Sequence, residues 1–195
     1  MLDPQALVAL AAQCAPAVAP ATLLAVARAE SGLDPLAIGV NGAHGLRPRV
    51  STAAEAAAAA KALVAAGRDI DLGLAQINVR NLARLGLTIE AAFDPCRNLA
   101  AAAQVLGEGY ARGQARHGPG QAALRVALSI YNTGHAERGF ANGYVARVTG
   151  QAVAAPLPSG LAASAEPPPP AAWDVFARAA ARPSRFVMSQ PGATP

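Results

Sequence analysis

Cysteine, aromatic side chains, clustered positive charge, alternating β-branched runs and long apolar stretches are all scarce in this chain of 195 residues, and each scarcity removes a class of protein. The two cysteines, Cys14 and Cys96, stand far apart and fit no metal-ligand spacing. They read as one structural disulfide of an oxidising compartment or as two free buried thiols. There is no zinc-type cluster, and neither a metal nor a cofactor is expected. The 16 Lys and Arg exceed the 12 Asp and Glu by only +4 and are scattered as single arginines. No basic stripe tracks a phosphate backbone, so nucleic acid is not an expected partner. No apolar run approaches the roughly 20 residues of a membrane-spanning helix, because Arg28, Glu30, Arg68 and other polar residues interrupt the hydrophobic stretches. The opening Met1-Leu2-Asp3-Pro4 lacks the basic region of a secretory signal, which fits a mature form with a restored start or a chain that is not exported.

What the chain does have is alanine throughout, with Gly and Pro mainly between apolar segments, so residues 1–150 read as one all-α domain. Beyond Gly150 the composition shifts. Nine of the 16 prolines lie in residues 151–195, including Pro167 to Pro170, which reads as a flexible, disordered Pro/Ala-rich tail. Within it, Ala171 to Arg178 carries the pattern of a short amphipathic helix, against which a disordered end whose aromatics have no role is the favoured reading. A first helix should begin at Pro4 with Asp3 as N-cap and turn Leu7, Leu10, Ala11 and Cys14 to one face. A second begins after Pro20. Thr52 and Glu55 form a capping box that opens an alanine-rich helix closed by Gly67. Asn78 caps a short helix ending near Gly86, and Asp94-Pro95 starts one that buries Cys96, Leu99, Ala103, Leu106 and Tyr110. The segment from Gln121 to Asn132 buries Leu124, Ala127, Leu128 and Tyr131, and a last short helix follows Asn142. Both cysteines lie on inferred buried faces near helix ends, so a Cys14–Cys96 disulfide is the favoured pairing.

The apolar stripe of the second helix runs Leu23, Val26, Ala27 and then Glu30, which points a carboxylate inward. Gly32 stands where a left-handed residue ends a helix. Burial disfavours the charged carboxylate and the negative helix end repels it. Both effects raise its pKa and keep it protonated near neutrality, as a general acid requires. The competing reading is an ordinary glutamate whose head reaches solvent. An acid of this kind often works beside a second carboxylate. Asp34 is nearest but lies beyond Gly32 and beside Pro35, where a turn role is expected, and Asp71 is the weaker candidate.

Four segments occur in order: Arg28-Ala29-Glu30-Ser31-Gly32-Leu33-Asp34-Pro35, Asp71-Leu72-Gly73-Leu74-Ala75-Gln76-Ile77-Asn78, Ala127-Leu128-Ser129-Ile130-Tyr131-Asn132-Thr133-Gly134, and Gly143-Tyr144-Val145. They resemble the four motifs of lysozyme-like soluble lytic transglycosylases, over about residues 4 to 150. The stretch Ile38-Gly39-Val40-Asn41, the Asp71 to Asn78 loop and the helix start Asp94-Pro95-Cys96-Arg97-Asn98-Leu99 are similar to those of members that accompany type IV secretion and conjugation machines.

The resemblance implies an all-α lysozyme-like fold of the goose-type lysozyme and soluble lytic transglycosylase kind, in a periplasmic protein. It implies peptidoglycan as substrate, cleavage of the β-1,4 bond from N-acetylmuramic acid to N-acetylglucosamine, a 1,6-anhydromuramoyl product, and Glu30 as the single catalytic carboxyl. A double-displacement glycosidase would need a second carboxylate about 5 to 5.5 Å from that acid, and if neither Asp34 nor Asp71 serves, the sugar's own N-acetyl oxygen must stabilise the developing cation. The resemblance further implies sugar contacts by Ser31, Gln76, Asn78, Tyr131, Asn132 and Tyr144, with Tyr144 next to Glu30. The plain alternatives are a helix-terminal Asn132, a core Tyr131, a Gln76 amide bonded to backbone and a capping Ser31. Secretion-channel subunits reached through the tail are a further expected partner. The competing function is a non-catalytic glycan- or channel-binding assembly factor of the same fold. Ala75 stands where relatives usually carry Met or Gly, the loop 42–49 with His44 has no assignment, and His117 and His135 read as surface residues.

Overall fold

The computed structural model describes residues 1–42 and 48–154. The expectations for His44, for the Pro-rich tail and for its amphipathic segment lie outside the described residues. Helix α1 (Pro4–Cys14) starts where the Asp3 carboxylate accepts from the N–H groups of Gln5 and Ala6, and it buries Leu7 and Ala11. Helix α2 (Pro20–Ser31) is buried from Leu23 to Ala27 and stops at Gly32, whose φ of 65° only glycine adopts freely. Helix α3 (Ala53–Ala65) is capped by Thr52, and Glu55 reaches back to the N–H of Ser51, one residue beyond the expected box. Helix α4 (Pro95–His117) buries Leu99, Ala103 and Leu106 as expected, while Cys96 and Tyr110 are half-buried.

The all-α expectation is corrected by a three-stranded antiparallel sheet of β1 (Ile38–Val40), β2 (Ile70–Leu72) and β3 (Ile77–Asn78). Strands of two or three residues are too short to show a period of two, so their pattern could not be read. The helix expected after Asn78 is two 3₁₀ turns, Val79–Asn81 and Ala83–Leu85, with Asn78 capping the first and Gly86 in the left-handed region.

Helices α4 and α5 (Gln121–Thr133) pack antiparallel at close range. A Cβ added at Gly109 would lie 3.1 Å from the Ala127 Cα, and one at Gly113 would lie 2.7 Å from the Ala123 carbonyl oxygen. That contact turns Ala123, Val126 and Ala127 inward, so Leu124 and Tyr131 are half-buried rather than core. A four-residue helix α6 (Arg138–Ala141) follows, then α7 (Tyr144–Ala154), which runs past residue 150. The chain is tied by a Cys14–Cys96 disulfide joining the end of α1 to the first turn of α4, with the two Cα atoms 5.4 Å apart.

One buried polar residue holds the sheet to α4. The Asn98 Oδ1 accepts from the Ala75 N–H at 2.8 Å, and its Nδ2 donates to the carbonyls of Leu72 at 2.9 Å and Ala92 at 2.7 Å. Replacing Asn98 with alanine orphans three buried backbone groups and is expected to lower stability by about 3 kcal/mol. A urea unfolding curve with an unchanged midpoint would contradict this.

Candidate active site

Glu30 occupies the last turn of α2 because the stripe that buries Leu23, Val26 and Ala27 continues through it. Its carboxyl is raised from 4.5 to about 7, chiefly by burial and further by the negative charge of Asp71, against a lowering by its hydrogen bond from Tyr144 and by Arg147. The Tyr144 hydroxyl donates to Glu30 Oε1 at 2.6 Å, and Arg147 lies 5.4 Å from the centre of the Tyr144 ring. Near neutral pH this carboxyl exchanges a proton readily, the property a group needs to act as acid and then as base.

Glu30 opens on a groove of about 270 Å³, walled by Asp71, Gln76 and Asn78 on the sheet side and by Val105, Tyr131 and Asn132 from α4 and α5. Gln76, at a φ of 49°, donates its Nε2 to the carbonyls of Ala37 and Gly73, so its amide also holds the loop that carries it. Asn78 donates its Nδ2 to Asp69 and to Asp71 at 2.8 Å, fixing the latter carboxylate. The Tyr131 hydroxyl donates to the Ala75 carbonyl at 2.7 Å, and burial with the charges of Glu30 and Asp71 holds its phenol well above its ordinary pKa. Asn132 stands exposed at the rim, where its Oδ1 accepts from Asn142.

Two expected sugar contacts are placed elsewhere. The Ser31 hydroxyl lies 2.7 Å from the Leu74 carbonyl and accepts from the Asp34 N–H, so it belongs to the loop beneath the groove. Tyr144 is only 1% exposed and lies under Glu30, where it serves the carboxyl and offers no surface to a sugar. Of the two second-carboxylate candidates, Asp34 accepts from the Leu36 N–H in a turn, whereas Asp71 is in the groove. Asn41, Asn81, Val105 and Arg147 also belong to the site or its support and were not singled out as contacts. Asn41 ends the Ile38 to Asn41 stretch, and Arg147 follows Tyr144 by one helical turn, so both carried a signal. His117 and His135 are exposed, and among the described residues no cluster of metal-ligating side chains occurs. No helix among them is long and apolar enough to cross a membrane.

A mostly helical frame, a small antiparallel sheet and one proton-holding carboxyl over an amide-lined groove together define a lysozyme-like domain. Residues 8–153 match the family described as the transglycosylase SLT domain, and the chain belongs to that family. It is 45% identical over 138 residues to protein virB1 of Agrobacterium fabrum, covering 71% of this chain and 56% of the relative. It is likewise 45% identical over 132 residues to the type IV secretion system protein virB1 of Brucella abortus, covering 67% and 55%. The chain thus spans a little over half the length of these curated relatives. No solved structure matches it.

Proposed function

We propose that the protein is a peptidoglycan lytic transglycosylase that cleaves the β-1,4 bond from N-acetylmuramic acid to N-acetylglucosamine. The observation that carries this reading is Glu30, raised to about 7 and hydrogen-bonded by Tyr144 beside a groove of amides. Protonated Glu30 gives its proton to the glycosidic oxygen as the bond breaks. The neighbouring N-acetyl oxygen closes on the anomeric carbon and shares its positive charge. Glu30, now a carboxylate, takes the proton of the muramoyl 6-hydroxyl, whose oxygen displaces the acetyl oxygen and closes the 1,6-anhydro ring. An attacking group on the same sugar needs no second molecule to be positioned, which favours it over water. Asn41 and Asn132 suit a neutral substrate rich in hydroxyls and acetamides, since each amide both donates and accepts, and Gln76, whose two N–H groups are held by Ala37 and Gly73, offers its oxygen as an acceptor.

The name of the Brucella relative supports a place in a type IV secretion system; glycan cleavage would there open the cell wall locally for assembly of a type IV secretion or conjugation apparatus. The Cys14–Cys96 disulfide supports the periplasm as its place of work. Contacts with channel subunits are assigned to the Pro-rich segment after residue 154. The alternative is an assembly factor that binds glycan without cutting it, and a proton-holding Glu30 argues against that, since binding alone has no use for one. Mass spectra of muropeptides released from purified sacculi test the proposal. Anhydromuramoyl ends are expected, products heavier by one water would mark a hydrolase, and no release would favour the binder.

A further inference from the structure

A second carboxylate shares the groove with Glu30. Asp71 is in the middle of β2, the central strand of the sheet, with Gly39 opposite it in β1 and Asn78 opposite it in β3. Each of its oxygens is claimed by one neutral amide. Oδ1 accepts from Asn78 Nδ2 at 2.8 Å, and Oδ2 accepts from Asn41 Nδ2 at 3.0 Å. Asn78 is itself fixed, because the same nitrogen donates to Asp69 and its Oδ1 accepts from the Arg80 N–H. The guanidinium of Arg80 pairs with Asp69 at 3.3 Å rather than with Asp71. Asp71 is therefore held rigid, among the described residues no cation pairs with it, and each oxygen keeps an unused lone pair there. The charge is felt across the groove by both Glu30 and Tyr131.

Structural carboxylates in ion pairs do not look like this. A fixed, uncompensated negative charge beside a proton donor is the arrangement that stabilises a cation formed between them. We infer that Asp71 is a second catalytic carboxylate, which accepts the acetamide N–H of the N-acetylmuramoyl unit and stabilises the positive charge formed when the glycosidic bond breaks. The inference rests on the transglycosylase reading above. As Glu30 protonates the leaving oxygen, the bonding electron pair departs with N-acetylglucosamine. The acetyl oxygen bonds to the anomeric carbon, and the positive charge spreads to the acetamide nitrogen, whose N–H then bonds a full carboxylate. Attack by O6 breaks the bond from the anomeric carbon to the acetyl oxygen, restores the neutral acetamide and relaxes that hydrogen bond.

The two carboxyls stay distinct because their surroundings differ. Around Asp71, burial and Asp69 raise the pKa while Asn78 and Asn41 lower it; around Glu30, burial and Asp71 raise it while Tyr144 and Arg147 lower it. Tyr131, on α5, faces both. Removing the Asp71 charge therefore lets Glu30 lose its proton at lower pH.

The test compares the full chain with Asp71→Asn and Asp71→Ala on soluble peptidoglycan strands, reading kcat, KM, product mass, the pH profile and the melting temperature. Asp71→Asn is expected to lower kcat on the order of 100-fold. KM should stay within about threefold, the anhydro product should remain, and the alkaline limb should move to lower pH. Asp71→Ala, which adds no donor opposite Asn78, should do the same and gives the reading if the amide variant fails to fold. A kcat within about threefold of the parent with an unmoved alkaline limb overturns the assignment. So does a raised KM alone, since that marks a residue that only shapes the groove. If the parent chain itself yields no anhydro product, the transglycosylase reading has failed, whichever way the variants behave.

Discussion

Glu30→Gln is expected to lose glycan cleavage by about 1,000-fold or more, because the reaction loses both its acid and its base at one stroke. The same variant should be more stable than the parent at pH 8. In the folded protein Glu30 titrates at about 7 against an ordinary 4.5, so the native state binds the proton more tightly than the unfolded chain does. The stability it contributes is complete below about pH 4.5 and is lost as the pH rises through 7. Above that range the ionised carboxylate costs up to about 3 kcal/mol, which glutamine avoids while keeping the oxygen that accepts from Tyr144. Melting curves should therefore separate at pH 8 and converge near pH 4.5, and the parent's activity should fall as the pH climbs past 7. A glutamine variant that melts lower at pH 8 and still cuts glycan would end the assignment of Glu30 as the acid.

The double variant Cys14→Ala/Cys96→Ala is expected to carry the largest loss of stability. The bond closes a loop with a sequence separation of 82. In the chain-entropy account such a loop contributes about 4 kcal/mol, a large share of what a single domain has. For a domain of this size that corresponds to roughly 10 °C in Tm. The bond also steadies the first turn of α4, two residues ahead of Asn98, so its loss should loosen the contact from Asn98 to Ala75 and with it the neighbouring Gln76. Melting with and without reductant checks this. Parent and double variant curves that coincide under oxidising conditions would refute it.

The helices were legible where a cap and a stripe coincide. Asp3-Pro4, Thr52 with Glu55, and Asp94-Pro95 each begin a helix in the structure, and Gly32 ends one where its left-handed conformation is needed. Glu30 was legible because it continues a stripe whose earlier members are core. The sheet was not, since Ile38–Val40 and Ile70–Leu72 are too short to carry an alternation. The place of Asp71 in the groove was hidden for the same reason, since its position opposite Asn78 follows from strand register, which no local pattern displays. Asn98 was quoted only within a motif, because what fixes it is three carbonyl and amide groups from segments distant in sequence or outside its helix. The position of Tyr144 beside Glu30 came from resemblance, as no spacing rule reaches across the chain between them.

The hydrogen bond from Tyr144 to Glu30 joins residues 114 positions apart, and this sets an order in time. At a synthesis rate of 5 to 20 residues per second, Glu30 is joined to the chain roughly 6 to 20 seconds before its partner exists. Throughout that interval α7 is missing from the flank of α2, and the carboxyl is open to water with an ordinary acidity. The nascent chain is thus born without its acid. It acquires one only when the last helix of the domain folds back and dries the groove end of α2.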